Sequence, residues 1–418
     1  MATVEESIAA RLRGREFSRL LVGYSGGLDS AVLLHATRVI WPELPLLALH
    51  VNHGLQPKSR DWEDHCADVC KKLKVELITC QLQLDAKGNL EATARTARYK
   101  FFSDQLEHRG VLLLAHHRND QAETVLLRLF QGRGLIAMPR ERALGSGVLL
   151  RPFLKLPREV LEEYAHSHNL SWVEDPSNRD TSLDRNYLRQ RVLPEIRERW
   201  PAVDMVLSDV ATRHRQLDVA LGVLTGLDGA GLELPLAALA QHPVAVQVEL
   251  LRVWLGGLGE HRVTFKALRN FLHQLGSALH RQPRLDLQSG MLRRFRGVLC
   301  YVPEWVMPEA EYPLIAPGSV TLPHGELRVL ATEKRGFSVN GELRVVFRHG
   351  GEQILVRGTH RSVKKVLQNE GVPPWLRGRY PLLVDDDGLA AVGNLLYRDV
   401  GLPLRAGERV WRVEWTSH

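Results

Sequence analysis

Ser25, Gly26, Gly27, Asp29 and Ser30 stand together in "YSGGLDS", and their types suit one task. Two glycines let the backbone approach an anion closely. The N–H groups that open a following helix are unpaired and partly positive, so they hold phosphate. Ser25 and Ser30 can add hydroxyl donors. Asp29 is out of place beside a phosphate unless a cation lies between them, and Mg²⁺ takes carboxylate and phosphate oxygens together. Asp29 is therefore the candidate metal ligand, and Ser25, Gly26, Gly27, Leu28, Asp29 and Ser30 are candidate nucleotide contacts. The dinucleotide pattern G-x-G-x-x-G and the Walker pattern ending in Gly-Lys-Ser/Thr are both missing from this stretch.

Four more stretches carry reactive side chains. "HVNHGL" places His50 and His53 at a strand end, with His50 a further candidate nucleotide contact. "TARTARYKFF" puts Arg95 and Arg98 at i, i+3 with Tyr99 beside them. "LLLAHHRNDQAETVLLRL" ends a strand with His116 and His117, then opens a helix bearing Asp120, Gln121 and Glu123. "DPSNRDTSLDRNYLRQRVLPEI" supplies Arg185 and Arg189.

The elements that must position these residues alternate in the α/β manner. "LLVGYS", "LPLLALHVNHG", "VELITCQL", "VLLLAHH" and "VLLRPFL" read as strands. Helical periodicity follows in "LDSAVLLHATRVI", "SRDWEDHCADVCKKLK", "NLEATARTARYKFFSDQLEHRG" with Asn89 as N-cap, "NDQAETVLLRLFQG" and "PREVLEEYAHSHNL". Such alternation predicts a parallel, Rossmann-like sheet with right-handed crossovers. From Trp200 to Leu275 the chain reads as helices, and 283–302 as a small β element. The expected domains are a catalytic domain at 1–196, a mainly helical middle domain at 197–302, a proline-rich linker at 303–317 and a small α+β C-terminal domain at 318–418.

Composition narrows the class. The chain has 418 residues, 44% hydrophobic and 25% charged, with net charge +7. A basic soluble protein fits nucleic acid, and arginine, about four to each lysine here, suits bidentate phosphate contacts. Four cysteines, none in C-x-x-C, signal neither a disulfide framework nor a zinc site. Without a membrane-length apolar run or an apolar leader in "MATVEESIAARLRGREF", the expected location is the cytoplasm.

"YSGGLDS" matches the S-G-G-x-D-S signature of the PP-loop ATP pyrophosphatases, which cleave ATP between its α and β phosphates and adenylylate a substrate. With "HVNHGL", "TARTARYKFF", "LLLAHHRNDQAETVLLRL", "DPSNRDTSLDRNYLRQRVLPEI" and, near the C-terminus, "RSVKKVLQNEGVPPWLRGRYPLL", the chain resembles the tRNA(Ile)-lysidine synthetase family. The resemblance implies ATP and Mg²⁺ as cofactors. It also implies L-lysine and an isoleucine tRNA with a CAU anticodon as substrates. Lysine is joined to C2 of the wobble cytidine after ATP has adenylylated its C2 oxygen. A homodimer is left open, and a membrane partner is not expected. The alternative is a PP-loop tRNA thiolase, which the cysteine pattern disfavours.

Attack by lysine needs a neutral amine, so a carboxylate must bind the ammonium and accept its proton. Asp29, Asp120 and Glu123 are the candidates, Glu123 foremost. Arg98, Arg185 and His117 are candidate donors to charge developing on the α-phosphate and C2 oxygen. Plain alternatives stand beside these roles. Arg98 can pair with Glu91 or Asp104, His50 can be a strand-end hydrogen bonder, and Glu123 can simply favour its helix N-terminus. Two departures from the family pattern are visible. Asn119 replaces the first of two consecutive aspartates, and the glycine-rich segment around Gly132 and Gly134 is short. For tRNA binding, the candidates are Arg185, Arg189, Arg357, Arg361, Lys364, Lys365, Arg377 and Arg379. Trp375 among them reads as a core residue more readily than as a base-stacking one.

Overall fold

The computed structural model describes residues 2–52, 59–82, 90–227, 231–277, 283–304, 311–323, 325–333, 336–398 and 409–417. His53 and Asn89 fall outside these ranges, and the side chain of Glu91, within the helix that starts at Leu90, is not described. The chain forms two compact units, Met1–Arg281 and Gln282–His418.

The first unit is built on a six-stranded sheet. After helix α1 (Val4–Leu12) come β1 (Leu20–Gly23), α2 (Leu28–Ile40), β2 (Leu46–Asn52), α3 (Ser59–Lys72), β3 (Glu76–Gln81), α4 (Leu90–Asp104), β4 (Val111–Leu113) and α5 (Arg118–Phe130). The hairpin β5 (Glu141–Leu144) and β6 (Gly147–Leu150) follows, then α6 (Arg158–Ser167). The strand order is β3-β2-β1-β4-β6-β5, parallel throughout except for β5. Period-two alternation sorts the β1 side chains. Leu20 and Val22 join the core beneath α1, α2, α3 and α6, while Leu21 joins the core with Phe102 and Leu106 on the α4 side. Both faces are therefore covered, as a parallel sheet of continuous apolar strands requires.

Two readings of this region change. The strand expected in "VLLRPFL" stops at Leu150, and Pro152–Lys155 form a 3₁₀ turn, because proline cannot donate to a ladder. The antiparallel edge strand β5 was not anticipated.

After α6 the chain runs through α7 (Asp184–Tyr187), a π-turn (Leu188–Val192), α8 (Leu193–Arg199) and α9 (Val203–Thr225). The strand Glu233–Pro235 and helices at Leu236–Ala240, Val244–Gly257 and Phe265–Ser277 follow. The helical segment packs on the catalytic part through Val125 and Ala137 against Leu207 and Ala211.

The second unit is mainly antiparallel β. Strands Arg284–Asp286, Gly290–Phe295 and Val298–Pro303 form a meander. A five-stranded sheet and a three-stranded sheet share a core around Leu327, Val329, Phe337, Val345 and Leu383. The expected linker at 303–317 is partly regular, since Glu311–Leu314 pairs with Leu343–Val346 in the larger sheet. The hairpin Gln353–Val356/Thr359–Ser362 leads into the helix Val363–Asn369.

Candidate active site

The sheet order reverses at β1, with β2 on one side and β4 on the other. Ligands of open α/β sheets bind beyond the strand ends at this switch point. The two loops leaving β1 and β4 are "YSGGLDS" and "HHRND".

Tyr24 N–H still donates to Leu49 O (2.9 Å), and the chain then turns. Gly26 takes φ +84°, a left-handed conformation that favours glycine, and a Cβ there would lie 2.9 Å from Cys66 Sγ. Val173 N–H holds Gly26 O at 2.9 Å. Gly27 caps α2 without a side-chain bond, so the first helical amides remain available for an anion. The two serines divide the work expected of both. Ser30 is buried, accepts from Ser25 N–H (3.2 Å) and donates to Gly27 O (2.9 Å), whereas Ser25 is exposed and able to reach a ligand. His50 lies beneath the loop, buried, with Nδ1 2.9 Å from Tyr24 O and 3.6 Å from Cys66 Sγ. It braces the turn from below.

The helix α5 brings the acidic groups. Asp120, in its first turn, accepts from His117 N–H (3.0 Å) and so satisfies an orphan donor at the N-terminus. His117 Nε2 lies 3.4 Å from Asp120 Oδ2 and 3.7 Å from Asp29 Oδ2, which joins the two loops. Glu123, one turn on, is 1% exposed and accepts from Arg185 Nε (2.8 Å), Arg189 Nε (2.6 Å) and Arg189 Nη2 (2.9 Å). Arg185 Nη2 and Arg189 Nη2 also reach Asp120 Oδ1, at 2.8 and 3.2 Å. Arg185 and Arg189, both expected to contact tRNA, are thus paired with these carboxylates.

Three carboxylates, Asp29, Asp120 and Glu123, face two guanidiniums, which leaves one negative charge uncompensated. That charge sits at Asp29, whose Oδ1 is buried with no partner. Burial raises the Asp29 carboxyl above its ordinary value, against the pull of His117. Burial would raise Asp120 too, but His117, then Arg185, and the bond from His117 N–H hold it well below the usual carboxylate range. His116 is kept neutral by burial and by Arg151. The orphaned Asp29 oxygen beside open amides fits a cation shared with phosphate oxygens. Among the described residues, no three His, Cys, Asp or Glu side chains form a dedicated metal cage.

Arg98 lies beside Tyr99. Its guanidinium lies 5.8 Å from the Tyr99 ring, with Arg95 at 5.1 Å and Arg142 at 4.4 Å, while Arg151 Nη2 donates to Tyr99 Oη at 3.3 Å. Burial would raise the phenol, but Arg151, Arg95, Arg98 and Arg142 bring it down to about 8. Arg142 and Arg151 were missed in the sequence, where nothing relates the β5–β6 hairpin to α4. Arg98 also imposes its field on His116.

The departure at Asn119 has a structural reading. Its Oδ1 accepts from Arg158 N–H (3.1 Å) at the start of α6, a bond that asparagine makes as well as aspartate. Gln121 clamps the following loop by donating to Met138 O (3.0 Å) and accepting from Met138 N–H (2.8 Å). Cys66 and Cys70 are buried, and burial pushes their thiols up to about 12 and about 11, so neither is poised as a sulfur-carrying thiolate.

In the second unit Arg357, Arg361, Lys364 and Lys365 are exposed on the hairpin and helix at 353–369. Arg377 Nε donates to Val372 O (2.8 Å), and Arg379 is partly buried. Trp375 packs edge-on against Phe295 at 5.8 Å beneath Arg293, which favours its reading as a core residue.

Known proteins align with these features. Residues 1–196 match the PP-loop domain family, 234–300 the TilS substrate binding domain and 343–415 the TilS substrate C-terminal domain. The tRNA(Ile)-lysidine synthase of Legionella pneumophila (strain Paris) is 38% identical over 93% of this chain and 94% of its own length. That of Pseudomonas aeruginosa is 38% identical over 96% and 94%. The U34-tRNA thiolase NcsA from Methanococcus maripaludis is a remote structural neighbour, with 16% identity and a TM-score of 0.42 over 50% of this chain and 77% of that one. With relatives matched along nearly their whole length, the chain belongs to the tRNA(Ile)-lysidine synthase family.

Proposed function

We propose that this chain is an AMP-forming ligase that joins free L-lysine to C2 of the wobble cytidine in a CAU-anticodon isoleucine tRNA, in the cytoplasm. The observation that carries the proposal is the carboxylate–guanidinium–imidazole cluster beside the open amides of α2, with one negative charge left at Asp29. The α2 amides and Ser25 receive ATP phosphates, and Asp29 would hold Mg²⁺ there. When bound, the metal would supply charge neutralisation at the phosphates. His117, beside both Asp29 and Asp120, donates to oxygens that gain charge as the cytidine C2 oxygen is adenylylated. The carboxylate cluster, whose uncompensated charge lies at Asp29 and whose Asp120 and Glu123 are held in place by Arg185 and Arg189, provides the counter-charge for the lysine ammonium and draws off its proton before the amine displaces AMP. His50 acts through Tyr24 by fixing the turn.

The C-terminal segment 318–418, with Arg357, Arg361, Lys364 and Lys365, holds a part of the tRNA remote from the anticodon. The deciding experiment is incubation with ATP, labelled lysine and total tRNA. The reading expects tRNA-dependent incorporation of label with release of AMP, and sulfur transfer without lysine incorporation would overturn it.

A further inference from the structure

Tyr187 and Trp200 are large aromatics left 51% and 62% exposed on the segment that carries Arg185 and Arg189. With Arg191, Val192, Glu195 and Ile196 they line a groove of about 350 Å³. Helical spacing explains its placement. Arg185 and Arg189, four apart, turn inward to Asp120 and Glu123, and Leu188 and Leu193 pack against Leu126. Tyr187 and Arg191 follow each arginine by two residues and therefore lie on the opposite side. The π-turn at Leu188–Val192 re-phases the helix between the two aromatics, a distortion frequent at functional sites. One helix diameter, roughly 10 Å, separates the groove from the carboxylates.

The lining points to a flat, polyanion-linked ligand. Two exposed ring faces offer stacking surfaces, and Val192 and Ile196 give an apolar floor. Arg191 has no ion-pair partner among the described residues, while neighbouring Arg197 is spent on Asp204 at 2.7 Å. Aromatic side chains interleaved with free arginine are the usual platform for unpaired bases. Glu195 at the rim can accept from an exocyclic amine. We propose that this groove stacks an unpaired anticodon-loop base next to the nucleotide being modified. The inference rests on the RNA-modifying reading above and adds the element that presents the loop to the cluster.

The test uses the full chain and a short RNA hairpin bearing a CAU loop, with Tyr187→Ala, Trp200→Ala, Tyr187→Phe and Trp200→Phe. Each alanine variant should weaken hairpin binding roughly 5- to 150-fold, the range for losing one base–aromatic stack. KM for tRNA should rise with kcat little changed, and the phenylalanine variants should retain most of the affinity. Thermal melting should be unaltered, since both rings are exposed. Replacing the stacked loop base by an abasic site should erase the difference between wild type and alanine variants. Alanine variants that bind the hairpin like wild type overturn the proposal. So does a change in self-association with RNA affinity intact, which would make the groove a contact between copies. The underlying reading fails separately: wild-type protein would then attach no lysine, whatever the variants do to RNA binding.

Discussion

Glu123→Gln keeps the shape of the most enclosed carboxylate in the cluster and removes its charge. Glu123 accepts three charge-assisted hydrogen bonds from two guanidiniums while only 1% exposed. Breaking a fully buried ion pair costs about 3–5 kcal/mol. Arg185 and Arg189 are 30% and 31% exposed, so water recovers part of that loss, and both still reach Asp120. An expected cost of about 2–3 kcal/mol follows. At roughly 2 °C per kcal/mol for a unit of this size, the melting temperature should fall by about 4–6 °C. Lysine incorporation should fall with it, because both arginines lose the group that aims them. A double-mutant cycle with Arg189→Met isolates the pair. The two changes touch one bond network, so the double variant should melt no lower than Glu123→Gln alone, with a coupling of about 1–2 kcal/mol. Calorimetry on the four proteins checks this. A single variant that melts with wild type, or two effects that simply add, would refute the assignment of Glu123 to a guanidinium-locked network.

Asp29→Asn should abolish AMP formation yet melt higher than wild type at pH 7. Its folded pKa is raised, so the ionised carboxylate is a cost above that pKa, relieved as pH falls through it; the stability gap between variant and wild type should close on acidification, and a variant less stable at pH 7 would contradict this. Gly26→Ala should inactivate the enzyme, since φ +84° strains any L side chain and the new Cβ meets Cys66 Sγ at 2.9 Å. Adding Cys66→Ala should restore AMP formation only in part, because it removes the clash and not the strain; full recovery would mean the φ is not required. Asn119→Asp should leave activity and melting unchanged, whereas Asn119→Ala should cost about 1 kcal/mol by uncapping α6, as thermal melting would register.

The sequence alone determined the parts whose chemistry is contiguous. "YSGGLDS" read as a candidate phosphate cradle because a glycine turn, a helix N-terminus and a carboxylate lie within one short run. "HHRNDQAE" showed an acidic helix start because Asp120 and Glu123 sit one turn apart. The alternation of apolar strands and amphipathic helices was likewise legible, since each period reflects local geometry. Tertiary structure decided who pairs with whom. Arg185 and Arg189 meet Asp120 and Glu123 across 62 to 69 positions, a match set by the order in which strands line up around β1. The same holds for Arg142 and Arg151 at Tyr99, for Asn119 at the start of α6, and for His50 under Tyr24. A side chain's type limits what it can bond, but in a folded chain its partner is whatever group the backbone delivers within about 3 Å. That delivery is a property of the packed sheet and its helices, to which no single stretch of residues commits.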